Sequence, residues 1–182
     1  MKTIHAGIGV LLGSLLVLTL GAGSAPTTRE QPDLVVGTFD SRAIAVAYVQ
    51  SDAYQEYLSA LKAHITGAIE QARTAGDKQL IASLEGVGPA MQQRLHEQGF
   101  GTAPVDDIIA KIEDALPGIA ARAGVDVIVS KWTLSYSSPG ARFVDVTGLL
   151  AAEFDPSERT LIMIQSTMEA APVPIDELDH DH

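Results

Sequence analysis

The rhythm of apolar and polar positions changes along this chain, and each change marks an element. Leu34-Val35-Val36-Gly37-Thr38-Phe39 is a short β-rich run closed by Asp40-Ser41, the signature of a strand followed by a turn. Ala43 to Val49 is rich in Ala and Val and fits either a helical turn or an extension of that strand. From Ser51 the period lengthens. Asp52 is placed to cap a helix, with Gln55 reaching back to it. Tyr54, Leu58, Leu61, Ile65, Ala68 and Ala72 then form a heptad seam, spaced alternately by four and three, as in a helix laid along another helix. Gly76-Asp77 interrupts the seam, and it resumes at Leu80, Leu84, Val87 and Met91. Gly86-Val87-Gly88-Pro89 and Gly99-Phe100-Gly101 are further breaks, since Pro can open a helix but not continue one. A last helical run begins near Pro104, its seam formed by Val105, Ile109, Ile112, Leu116 and Ile119, with a kink expected at Pro117-Gly118.

Beyond residue 123 the period falls to two. Val125, Val127 and Val129 alternate with Asp126, Ile128 and Ser130, and Trp132, Leu134 and Tyr136 alternate with Thr133 and Ser135. The pattern predicts two strands meeting at Lys131. Ser137 to Gly140 reads as a loop. Asp145-Val146-Thr147 leads into a short helix from Gly148 to Phe154, capped by Asp145 or Thr147 and stopped by Asp155-Pro156. Arg159 to Gln165 is β-branched enough for one more strand, and a Pro-rich acidic tail starts at Pro172. The expected class is α+β: a helical hairpin with coiled-coil-like arms over about 52–123, projecting from a small sheet of N- and C-terminal strands. Leu58, Leu61, Ile65, Ile109, Ile112 and Leu116 would join the arms. A hairpin returns to its own base, so the strand near Val36 could pair with those near Val127 and Leu134. A compact helical domain buries similar stripes, and runs of about two or three heptads do not separate the two.

The ends of this pattern resemble the OmpH/Skp-like periplasmic chaperones. "VVGTFDSRAIAVAYVQSDAYQEYL" is similar to that family's opening strand, its Asp-Ser-Gln/Arg segment (here Asp40-Ser41-Arg42) and its Ser-x-Ala-Tyr helix entry (Ser51 to Tyr54). "VDVIVSKWTLSY" and "VDVTGLL" are similar to its closing hairpin and the start of its last helix at Asp145-Val146-Thr147. The likeness spans roughly 34–154, with the matching motifs at the two ends. The resemblance implies a homotrimer in which strands from three chains build a small barrel and helical arms surround an unfolded client. Family arms are longer, uninterrupted and Lys-rich; here Gly86, Gly88, Pro89, Gly99 and Gly101 interrupt them.

Composition sharpens the setting. Lys2, the apolar run Ile8 to Leu20 and the small residues Gly21 to Ala25 read as an export signal over 1–25. The alternative is an uncleaved anchor of barely spanning length. Residues 26–33 read as a linker, 34–165 as the OmpH/Skp-like domain and 166–182 as a flexible acidic tail. The chain has no Cys, which excludes lipoprotein acylation, disulfides and thiolate chemistry. A formal charge of −11 over 182 residues argues against nucleic acid as a partner.

No catalytic, cofactor-binding or metal residue is assigned. His64 and His96 lack a carboxylate or Ser at a useful offset. Asp106 and Asp107 read as helix-start charges rather than an acid/base pair. Asp179, His180, Asp181 and His182 carry metal-ligand side chains but read first as a solvated terminus. Gly86-Val87-Gly88 lacks the strand and third glycine of a dinucleotide site. Trp132, Tyr136 and Phe143 read as core or trimer-interface residues, with Val127, Val129 and Leu134 in sheet and subunit contacts. Tyr48, Tyr54 and Tyr57 read as packing near the arm base. The expectation is a non-enzymatic periplasmic or otherwise exported holdase without cofactors, binding unfolded or outer-membrane polypeptides. The alternative is a structural or adaptor protein of the envelope, at the membrane only if the leader is uncleaved.

Overall fold

The structure, a computed structural model, describes residues 34–178. Residues 1–33, read from sequence as export signal and linker, and the terminal Asp/His cluster (179–182) lie outside the described residues. Strands β1 (Val35–Phe39), β2 (Val127–Ser130) and β3 (Arg142–Asp145) form a three-stranded sheet in the order β2-β1-β3. Both pairings are parallel: Val36 faces Val127 on one side and Phe143 on the other. Parallel neighbours need long crossover connections, and the helices between the strands supply them.

The closing hairpin expected from residues 125–136 is corrected in its second half. Trp132 to Tyr136 forms no strand, and the second neighbour of β1 is β3, of which only Asp145 reads as the lead-in to a helix. The cause is local. Lys131 N still donates to Phe39 O at 2.9 Å, but Thr133 N turns back to Ser130 O at 3.1 Å. The Lys131 and Trp132 side chains are both bonded to Asp40. The chain is thereby drawn across the end of the sheet instead of along it.

Helix α1 (Ser41–Val49) follows β1 directly and resolves the ambiguity of the Ala/Val segment. Asp40 caps it, accepting from Arg42 N at 3.0 Å. Helix α2 (Asp52–Ala75) is capped by Ser51, whose Oγ accepts from Tyr54 N at 3.2 Å, so the cap falls one residue before Asp52. Gln55 does reach back, donating to Val49 O at 3.2 Å. Gly76 ends α2 at φ 71°, the left-handed conformation that glycine adopts most cheaply. Helices α3 (Lys78–Glu85) and α4 (Val87–Gly99) follow, parted at Gly86 as the Gly/Pro break requires.

The last run of the expected arms is broken: α5 (Asp106–Ile109), a 3-10 stretch (Ala110–Ala115) and α6 (Leu116–Ala123), with Ile112 non-helical at φ −122°, ψ 18°. Pro117, which has no N–H, opens α6. This break rotates the seam into the body. Ile108, Ile112 and Ile119 are buried in one cluster with Phe39, Ile44 and Val125, while Leu61 and Ile65 of α2 are outside it. Of the residues expected to join the arms, Leu58, Ile109, Ile112 and Leu116 thus lie in or against the core, and Leu61 and Ile65 do not.

The remaining helices are α7 (Thr147–Ala152), α8 (Glu158–Glu169) and α9 (Ile175–Leu178). The strand expected over 159–165 is a helix. Its Ser157 cap accepts from Thr160 N at 3.2 Å, and its buried positions Thr160 and Ile164 are one turn apart. Burial at that spacing overrides the β preference of the branched side chains. Residues assigned to a flexible tail from 166 partly belong to the body. They complete α8, and Val173 N donates to Phe100 O at 2.9 Å. The architecture is α+β and mostly helical. No helix among the described residues is long and apolar enough to cross a membrane.

The sheet meets the core closely at Gly37. A Cβ there would lie 3.0 Å from Val125 Cγ2, 3.2 Å from Val127 O and 3.3 Å from Ile128 Cγ1. Gly37→Ala is expected to cost about 1–3 kcal/mol through overpacking, read as a lower urea midpoint with an unchanged slope. A loss below about 0.5 kcal/mol would contradict this packing.

Candidate functional site

The carboxyl ends of the parallel strands, where open α/β sheets often hold ligands, are filled here by side chains. Asp40 follows β1 and is wholly buried, as is nearly all of Arg42. Arg42 Nη2 donates to Asp40 Oδ2 at 2.8 Å and its Nε to Oδ1 at 3.1 Å, a two-pronged bond that fixes both groups. Lys131 Nζ reaches Asp40 Oδ2 at 2.8 Å, and Trp132 Nε1 donates to Oδ1 at 3.2 Å. Arg42 lies over the Trp132 ring at 5.1 Å and its Nη1 donates to Ala170 O at 3.0 Å. Asp40 N donates to Thr147 Oγ1 at 3.0 Å, and Asp145 Oδ1 accepts from Thr147 N at 2.8 Å. Residues far apart in sequence are thus knotted around one carboxylate.

Burial alone would raise the Asp40 pKa, but donors from Arg42, Lys131 and Trp132 outweigh it and lower the value from 3.8 to about 2. A carboxylate so held is a poor general base near neutral pH; its chemistry here is structural. Because the folded value is depressed, its stabilisation is fully present above the unfolded pKa near 3.8 and is lost as pH falls through about 2. That shift corresponds to about 2 kcal/mol. Urea titrations at pH 6 and pH 2 should show this increment disappearing in the wild type. An Asp40→Ala chain that lost just as much would refute the assignment.

A second feature is the outer face of the sheet. Register partners in a parallel sheet share a face, so Val36, Val127 and Phe143 lie together, with Thr38, Val129 and Asp145 beside them. The other face carries Val35, Phe39, Ile128 and Val144 into the core. None of the outer set belongs to that core; Val127 is 38% and Phe143 39% exposed. Leu134 and Tyr136 are also exposed.

A third feature is a cavity of about 640 Å³ between α1, α2 and α4. Its apolar wall includes Val46, Val49, Leu58, Leu95 and two thioethers, Met91 of α4 and Met163 of α8. Lys62 and His96 also line it. Beside it, Tyr48 and Tyr54 pack edge-to-face at 5.2 Å, and Lys111 lies 5.2 Å from the Tyr48 ring and 5.6 Å from that of Tyr57.

Other residues considered from sequence are dispersed. His64 is exposed on α2, and His96 packs edge-on against Phe100 at 5.7 Å. Asp106 and Asp107 open α5, and Asp107 is tied to Arg94 at 3.1 Å and to Gln98 Nε2 at 2.9 Å. Among the described residues no group of three or more His, Cys, Asp or Glu could hold a metal ion. Sequence reasoning missed the Asp40–Arg42–Lys131–Trp132 knot. Asp40 and Arg42, two positions apart, carried a hint, but the partners at 131 and 132 become visible only once β1 and β2 are paired.

No family model, no curated protein and no solved structure matches this chain. The functional reading therefore rests on these residues alone.

Proposed function

We propose that this chain is an exported, non-catalytic holdase of the OmpH/Skp-like type. It self-associates as a trimer through its sheet and binds unfolded envelope polypeptides with a helical arm. The observation that carries the reading is the open outer face of the sheet. All-parallel sheets occur almost only with both faces covered, yet in the single chain Val127 and Phe143 are more than a third exposed, Val36 is half-buried, and all three lie outside the core. A further copy would supply that layer by burying apolar area at about 25 cal/mol per Å².

In this reading α2 is the outgoing limb of the arm and α3 with α4 the returning one. Its stripe is half-covered: Leu61, Ile65, Ile81 and Leu84 are neither buried nor fully exposed, which leaves apolar surface for weak contacts with a client. Lys2, the apolar run after it and the small residues to Ala25 support export.

The direct test is suppression of aggregation. The purified protein, in molar excess as trimer, should markedly slow light scattering by an unfolded outer-membrane protein diluted from urea. Unchanged scattering from a protein that still self-associates would remove the holdase reading and leave an envelope structural or adaptor role.

A further inference from the structure

We propose that the cavity between α1, α2 and α4 is a binding site for an alkyl carboxylate, with the chain inside and the carboxylate at Lys62. This goes beyond the holdase reading and does not depend on it.

The volume, about 640 Å³, lies within the range that encloses a small ligand. Its wall is mainly carbon, and Met91 and Met163 give it adaptable thioether surfaces suited to a flexible chain. Charge decides the head group. Asp and Glu make up 23 of the 182 residues, yet among the described residues none lines this cavity. Lys62 does, one helical turn beyond Leu58 on the same face of α2. Among the described residues its ammonium takes part in no ion pair. A cation with no ion-pair partner among the described residues, on the lining of an apolar cavity in a strongly acidic protein, selects an anionic amphiphile. A peptide suits the cavity less well. Each of its residues brings an N–H and a C=O that need partners, and Gln50, Gln92 and His96 offer few. An alkyl chain brings no such demand.

The test is calorimetric titration of the purified protein with laurate below its micellar range. The expected result is saturable binding of one laurate per chain. Lys62→Glu should weaken it about tenfold, by exchanging attraction for repulsion, and Lys62→Arg should retain it. Dodecyltrimethylammonium, with the same tail and the opposite charge, should bind at least tenfold more weakly than laurate. Met91→Trp should abolish binding by filling the cavity, with thermal melting confirming that this variant folds. Absence of saturable laurate binding to the wild type would overturn the proposal. So would equal affinity for the cationic amphiphile, or an affinity indifferent to Lys62→Glu. Displacement of laurate by an apolar peptide with equal potency in wild type and Lys62→Glu would instead identify a peptide groove. Client holding is read by aggregation, so either idea can fail alone.

Discussion

Asp40→Ala is expected to lower the unfolding free energy by about 3–5 kcal/mol, the cost of leaving a buried charge without its partner. Arg42 is 2% exposed, and its guanidinium would keep Ala170 O and the Trp132 face but lose the carboxylate. The same change removes the cap of α1 and the anchor that turns the chain after β2. Arg42→Met should cost less, because Asp40 would retain Lys131 and Trp132. Lys131→Met should cost least, since that side chain is 37% exposed and ion pairs near solvent contribute about 1 kcal/mol or less. Urea unfolding of the three variants gives the ranking. An Asp40→Ala cost near that of Lys131→Met would mean that the buried pair is not closed as described.

The second large effect concerns assembly. Phe143→Asp combined with Val127→Asp is expected to convert the proposed trimer into single chains, with at least a hundredfold loss of association affinity, about 2.7 kcal/mol. Two carboxylates on an apolar interface would have to be desolvated in each subunit, and their like charges would oppose approach. In the isolated chain these positions are 38% and 39% exposed, so the thermal midpoint of the dissociated protein should change little. Light scattering reads the first effect and circular dichroism the second. A doubly substituted chain that kept the wild-type mass would show that the sheet face is not the interface.

How far the sequence discloses this molecule depends on the range of the forces at each element. β1, the breaks at Gly86 and Gly99, and the short helix stopped by Asp155-Pro156 are set by neighbouring residues, and the alternating or punctuated pattern is enough to find them. The strand at Val36 also pairs with the one at Val127, a long-range contact that the pattern suggested. Local pattern failed where distant groups decide. Trp132 to Tyr136 alternates like a strand, but Asp40, ninety-two residues before Trp132, holds the chain aside. Arg159 to Gln165 is β-branched, yet the surface offered to Thr160 and Ile164 accepts one face of a helix. Ile112 sits on the heptad pattern, and its non-helical backbone turns that pattern into core. The cavity at Lys62 was invisible for the same reason. It is bounded by α1, α2 and α4 together, and no stretch of sequence contains it.

The most direct measurement is the mass of the chain from residue 26 onward by sedimentation equilibrium over a wide concentration range. A protein whose open parallel sheet is completed by its own copies should sediment at three times the chain mass, with dissociation appearing only on strong dilution. A single-chain mass persisting at high concentration would mean that the bare strands need no partner, and the trimeric grasping assembly would have to be abandoned.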